Sequence, residues 1–112
     1  MIQVNVRMTL IPGKLAEAMS ILLSVVERTR TKAGCIGCSL YQDLEDEHTI
    51  LYLEQWRGEG EMKHHLREEE FREVLLVMEM SSQSPEIRFH TVSRSDGVEI
   101  VEEARAVNKE EQ

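Results

Sequence analysis

Ile50-Leu51-Tyr52-Leu53-Glu54-Gln55-Trp56 is the stretch on which the fold turns. It opens on four consecutive apolar residues, as a strand covered on both faces does, and it closes on the chain's single tryptophan. Period two puts Tyr52, Glu54 and Trp56 on one face and Leu51 and Leu53 on the other. Upstream, the acidic turn Asp43–Glu47 joins this strand, about residues 48–57, to another at about residues 36–44, so an antiparallel hairpin is expected. Downstream, Gly58 and Gly60 break the pattern. Residues 59 to about 80 then read as helix, with Met62, His65, Leu66, Phe71, Val74, Leu75 and Met78 as the inner stripe. The Glu68–Glu70 run marks a kink or a junction between two shorter helices.

Toward the N-terminus, Ile2, Val4, Val6, Met8 and Leu10 alternate with Gln3, Asn5, Arg7 and Thr9, a half-buried strand stopped by Pro12-Gly13. Residues 14–31 carry Leu15, Ala18, Met19, Leu22, Val25 and Val26 at helical spacing, and Ala33-Gly34 supplies the stop. Toward the C-terminus, Ile87, Phe89 and Thr91 alternate with Arg88, His90 and Val92 as a fourth strand. Asp96-Gly97 turns the chain into a short helix over residues 98–107, and residues 108–112 are expected to be disordered. The order β-α-β-β-α-β predicts an α+β, ferredoxin-like domain over residues 1–95, followed by a C-terminal extension, partly disordered, over residues 96–112. Helices on one face leave the other sheet face in need of cover. Apolar residues on both faces of strands two and three therefore predict a homodimer packed sheet against sheet.

With 112 residues, one modest core is expected. The 41% hydrophobic share is lean enough to leave room for a partner subunit. A net charge of −8, with basic residues dispersed, argues against nucleic acid. No apolar stretch is long enough for a transmembrane helix, and the opening Met-Ile-Gln-Val-Asn has no signal-peptide pattern, so no membrane partner is expected. Two cysteines make no disulfide framework, and the expected compartment is the reducing cytoplasm.

Four elements, in order, resemble the antibiotic biosynthesis monooxygenase (ABM) family. They are Pro12-Gly13-Lys14 after the first strand, Gly34-Cys35-Ile36-Gly37 opening the second, Glu54-Gln55-Trp56 closing the third, and His65-Leu66 in the helix that follows. They span about residues 2–92. The resemblance implies a dimeric α+β barrel of two ferredoxin-like units. It also implies oxidation of a small aromatic, often a quinol or polyphenol, by molecular oxygen with no metal or flavin cofactor. The chain departs from the family in places. Glu68-Glu69-Glu70 stands where members often have Thr-Pro-His. The iron-binding histidine of the haem-degrading branch falls on Leu75 and its strand-one asparagine on Val6, with Asn5 one place off, which disfavours a haem-handling protein. The Asn and Tyr of known ring oxidisers fall on Tyr52 and Met62, leaving Trp56 in common.

Tyr52, Glu54 and Trp56 share a strand face, and His65 lies on the inner stripe of the next helix, three after Met62. A pocket between sheet and helix would then offer a phenol, a carboxylate, an indole and an imidazole, with Met62 beside them. That set suits a phenolic substrate, because a deprotonated quinol gives up an electron to oxygen far more readily than a neutral one. Histidine ordinarily titrates near neutrality, so His65 is the expected base. Trp56 would stack on the ring and Tyr52 would orient a hydroxyl, while Trp56 and His65 border a common cavity. Glu54 is read either as a desolvated base or as a structural carboxylate paired with Arg7 or Arg57. Cys35-Ile-Gly-Cys38 opens a strand rather than a helix and reads as structural thiols. His64 and His65 point to different helix faces and make a poor metal pair, and the methionines at 19, 62 and 78 read as packing. The rival of the enzyme is a dimeric module that binds a small molecule without chemistry.

Overall fold

The computed structural model describes the backbone of residues 1–110 and the side chains of residues 1–106. Strand β1 (Ile2–Thr9) is followed by helix α1 (Leu15–Thr29), then by β2 (Cys35–Gln42) and β3 (Thr49–Trp56). Helices α2 (Glu59–Leu66) and α3 (Glu69–Met78), strand β4 (Glu86–Thr91) and helix α4 (Glu99–Glu110) complete the order. The four strands form one antiparallel sheet in the order β2-β3-β1-β4, the split βαβ arrangement. β3 and β1 are the inner strands, and their register sets Val4 opposite Glu54 and Ile2 opposite Trp56.

The alternation in β1 does what its sequence asks. Val4, Val6, Met8 and Leu10 are buried toward the helices, while Gln3, Asn5, Arg7 and Thr9 stay partly or fully exposed on the outer face. Ala18, Leu22, Val25 and Val26 of α1 close over them, as do Phe71, Val74 and Val77 of α3. Each fully buried aliphatic side chain contributes roughly 1.5–3 kcal/mol relative to exposure. Tyr52, Glu54 and Trp56 turn inward, and Leu51 and Leu53 lie half-buried on the outer face.

The Glu68–Glu70 run, expected to mark a kink or a junction between two shorter helices, is a junction: α2 ends at Leu66 and α3 begins at Glu69. The N–H groups of Arg67 and Glu68 reach back only three residues, to His64 and His65, which tightens the last turn. Glu68 then takes an extended backbone (φ −87°, ψ 165°), and α3 restarts with acids at the positive end of its dipole. Restarting shifts the buried stripe to Phe71, Val74 and Val77, so Leu75 is exposed rather than inward. Helix α4 begins one residue later than expected and continues beyond Val107 through Glu110; the expected disorder of residues 111 and 112 lies outside the described residues. Among the described residues no helix is long and apolar enough to cross a membrane.

Gly34 ends the α1–β2 turn at φ +82°, where glycine is favoured. Its carbonyl accepts from the Arg57 N–H at 2.8 Å, and a side chain there would run into the Glu61 carboxylate. This glycine lets the end of β3 and the first turn of α2 close on the turn, and so seats the residues described next.

Candidate active site

Three side chains meet at one buried carboxylate. Glu54, at the centre of the inner face of β3, is completely buried. Its Oε1 accepts from Trp56 Nε1–H at 2.8 Å. Its Oε2 accepts from the Tyr52 hydroxyl at 2.5 Å and stands 2.8 Å from His65 Nε2. Tyr52 and Trp56 flank Glu54 at spacing two on one strand face, and His65 descends from α2 to meet them. A buried carboxylate is costly unless its lone pairs are satisfied, and three donors satisfy this one.

Protonation follows from the partners. Indole N–H can only donate. Burial, then the neighbouring Glu54 charge, drives the Tyr52 phenol far above its ordinary pKa, so it keeps its proton and donates as well. With both oxygens of Glu54 accepting, the network assigns a proton to His65 Nε2. The imidazole is wedged between aromatic rings. Its centroid is 4.7 Å from that of Trp56 and 5.8 Å, edge-on, from that of Phe71. Its Nδ1 is buried with no hydrogen-bond partner, and Glu68 Oε1 is 3.9 Å away.

The expectation that Trp56 and His65 border a common cavity needs correction, because their rings pack directly on each other. A cavity of about 290 Å³ adjoins Trp56, and its other lining residues are Lys32, Ala33, Gly60, Glu61, His64 and Glu68. Tyr52, Glu54, Met62 and His65 do not line it. Tyr52 and Glu54 therefore stand behind the cavity wall, with no direct hold on a molecule in it. Met62 is buried in the core one turn before His65. Arg7 and Arg57 do not pair with Glu54. Period two sends Arg7 to the outer face, where it reaches Asp43 at 3.5 Å, and Arg57 is exposed.

Lys32 and Glu68 were missed by the sequence reading. Glu68 lies three after His65, a spacing that carries it to the same helical face, but it was absorbed into an acidic run read as a kink or helix junction. Lys32 Nζ lies 3.2 Å from both Glu68 Oε2 and Glu70 Oε1. The hydrogen bond to Glu68, then that to Glu70, raises its pKa, so it stays cationic at the cavity wall. Arg28 extends the pairing to Glu73 at 2.5 Å, which ties the end of α1 to the middle of α3.

The cysteines stand apart from this chemistry. Cys38 is buried, and burial pushes its thiol up to about 12. Cys35 is half-buried at a bulge in β2, its thiol also raised by burial. Asn5 faces away from His65 and Trp56 on the outer face of the sheet.

Residues 1–75 match the family described as antibiotic biosynthesis monooxygenase. A conserved protein from Methanosarcina mazei Go1 superimposes with a TM-score of 0.73 at 32% identity, covering 80% of this chain and 89% of that one. The crystal structure of an antibiotic biosynthesis monooxygenase superimposes with a TM-score of 0.75, covering 84% of this chain and 100% of that one; at 21% identity the likeness is one of fold. An uncharacterised protein of Synechocystis sp. is 28% identical over 64 residues, 57% of this chain, and that match spans 44% of the Synechocystis protein's length.

Proposed function

Because the chain belongs to the antibiotic biosynthesis monooxygenase family, we propose that it oxidises a small electron-rich aromatic, a quinol, with molecular oxygen and without a cofactor, as a cytoplasmic homodimer. The observation that carries this reading is a buried imidazole, oriented by a buried carboxylate, next to a cavity that shares Trp56 with it. At about 290 Å³ the cavity is at the small end of ligand sites, which span roughly 300–1,000 Å³, and it favours a single ring. The ring lies in this cavity, with the buried Trp56 at its base. The Lys32 ammonium favours the phenolate over the phenol, and His65 is the final acceptor of the proton. Glu54 and Tyr52 act through His65 as positioning residues, much as a carboxylate orients the histidine of a hydrolase triad.

The reaction balances without an outside reductant. A hydroquinone and dioxygen become a hydroxyquinone and water; one oxygen atom enters the ring, the other leaves as water, and the quinol supplies the electrons. Loss of the hydroxyl proton comes first because it lowers the cost of removing an electron.

A second reading draws on the burial itself. Tyr52, Glu54, Trp56 and His65 are all sealed from solvent, as in a polar core that specifies packing. The cavity would then bind its ligand without chemistry. Oxygen uptake with a panel of hydroquinones separates the two. Uptake with formation of the hydroxyquinone supports the enzyme. A quinol-dependent rise in Tm with no uptake assigns the chain to binding alone.

A further inference from the structure

His65 is sealed from solvent and does not line the cavity, so a proton leaving a molecule in that cavity needs a carrier. The buried Nδ1, which has no hydrogen-bond partner, points to one. Buried ring nitrogens are rarely left unpaired, and a Glu68 carboxylate oxygen lies within 4 Å of this one. One Glu68 oxygen stands 3.9 Å from Nδ1, and the other is 3.2 Å from Lys32 Nζ. The same carboxylate lines the cavity. Its backbone is pinned from both sides, with its N–H on the His65 carbonyl at 2.9 Å and its carbonyl receiving the Arg72 N–H at 3.2 Å.

We infer that Glu68, at the break between α2 and α3, relays protons between the cavity and His65 Nδ1; the inference rests on the monooxygenase reading above. The substrate O–H bond breaks, its electron pair stays on the substrate oxygen, and the proton joins the Glu68 carboxylate. A rotation of that side chain, 27% exposed, closes the gap to Nδ1. The proton passes to Nδ1, the carboxylate is regenerated, and the imidazolium is held by Glu54 at Nε2. No electron moves in the relay. Lys32 holds the other Glu68 oxygen, and Glu70 shares that ammonium, so the resting carboxylate is poised between cation and imidazole.

Glu68→Gln keeps the side chain's shape and removes its capacity to carry a proton. The relay predicts that kcat for quinol oxidation falls on the order of 100-fold, with KM and Tm near wild type. In Glu68→Ala, added formate or acetate restores turnover, a rescue that a merely structural role does not give. Unchanged kcat in Glu68→Gln, or a loss in Glu68→Ala that formate and acetate leave untouched, overturns the relay. A wild-type protein that consumes no oxygen defeats the enzyme reading, and the relay is then judged on proton traffic alone. Solvent exchange of the His65 ring N–H, followed by ¹⁵N-edited NMR, should be at least about tenfold slower in Glu68→Gln than in wild type. Equal exchange rates contradict the relay.

Discussion

Glu54 shows how far a residue can be read before its neighbours are known. Period two was enough to bring it beside Tyr52 and Trp56, and helical spacing brought His65 to the same interior. That these three are its hydrogen-bond partners was not legible, since the sequence offers Arg7 and Arg57, which the same periodicity sends to the outer face or to solvent. The closed network makes a stability prediction. Glu54→Gln turns an acceptor-only group into one that presents N–H groups to existing donors, and should cost about 2–4 kcal/mol in urea denaturation. A loss under 1 kcal/mol contradicts the hydrogen-bond assignment. Cys38 makes a second prediction. Its folded thiol is raised from 9.0 to about 12, so the unfolded chain sheds this proton first. Its contribution to stability is present below pH 9 and declines as pH rises toward 12. Thiol labelling of the native protein should modify Cys35 well before Cys38, and equal rates speak against this burial.

At the scale of elements, the strands were legible to within two residues, because β1 alternates strictly and turn residues bound the others. The α2–α3 break was harder. It has neither proline nor glycine, and three consecutive acids fit a helix surface as well as a helix start. The structure resolves it through the tightened turn at Arg67 and Glu68, and that break sets Glu68 between His65 and Lys32. The Gly34 turn governs the other wall of the cavity. Gly34→Ala forces a left-handed backbone on alanine and drives its methyl into Glu61. A loss of about 1–3 kcal/mol is expected in thermal or urea melts. Combining it with Glu61→Ala should recover part of that loss, the part due to collision; a double variant no more stable than Gly34→Ala rejects the contact.

The whole molecule is extended for its size. Its radius of gyration is 17.4 Å, against about 13 Å for a compact chain of about 100 residues. Residues 99–106 of α4 are all exposed, and Tyr41 on the outer face of the sheet is 54% exposed. Leu51 and Leu53 lie on that face as well, and its two-sided apolar strands were the basis in sequence for expecting a dimer. Light scattering should find a dimer, and Leu53→Lys should shift it to monomer with little change in secondary structure. A wild-type monomer at micromolar concentration contradicts the proposed assembly.

Oxygen uptake by the wild-type protein and by His65→Asn, with a panel of single-ring hydroquinones, tests the central proposal most directly. Uptake by wild type, a fall on the order of 100-fold or more in folded His65→Asn, and a hydroxyquinone product are the expected result. Uptake of equal rate in the two proteins, or none in either, would contradict it.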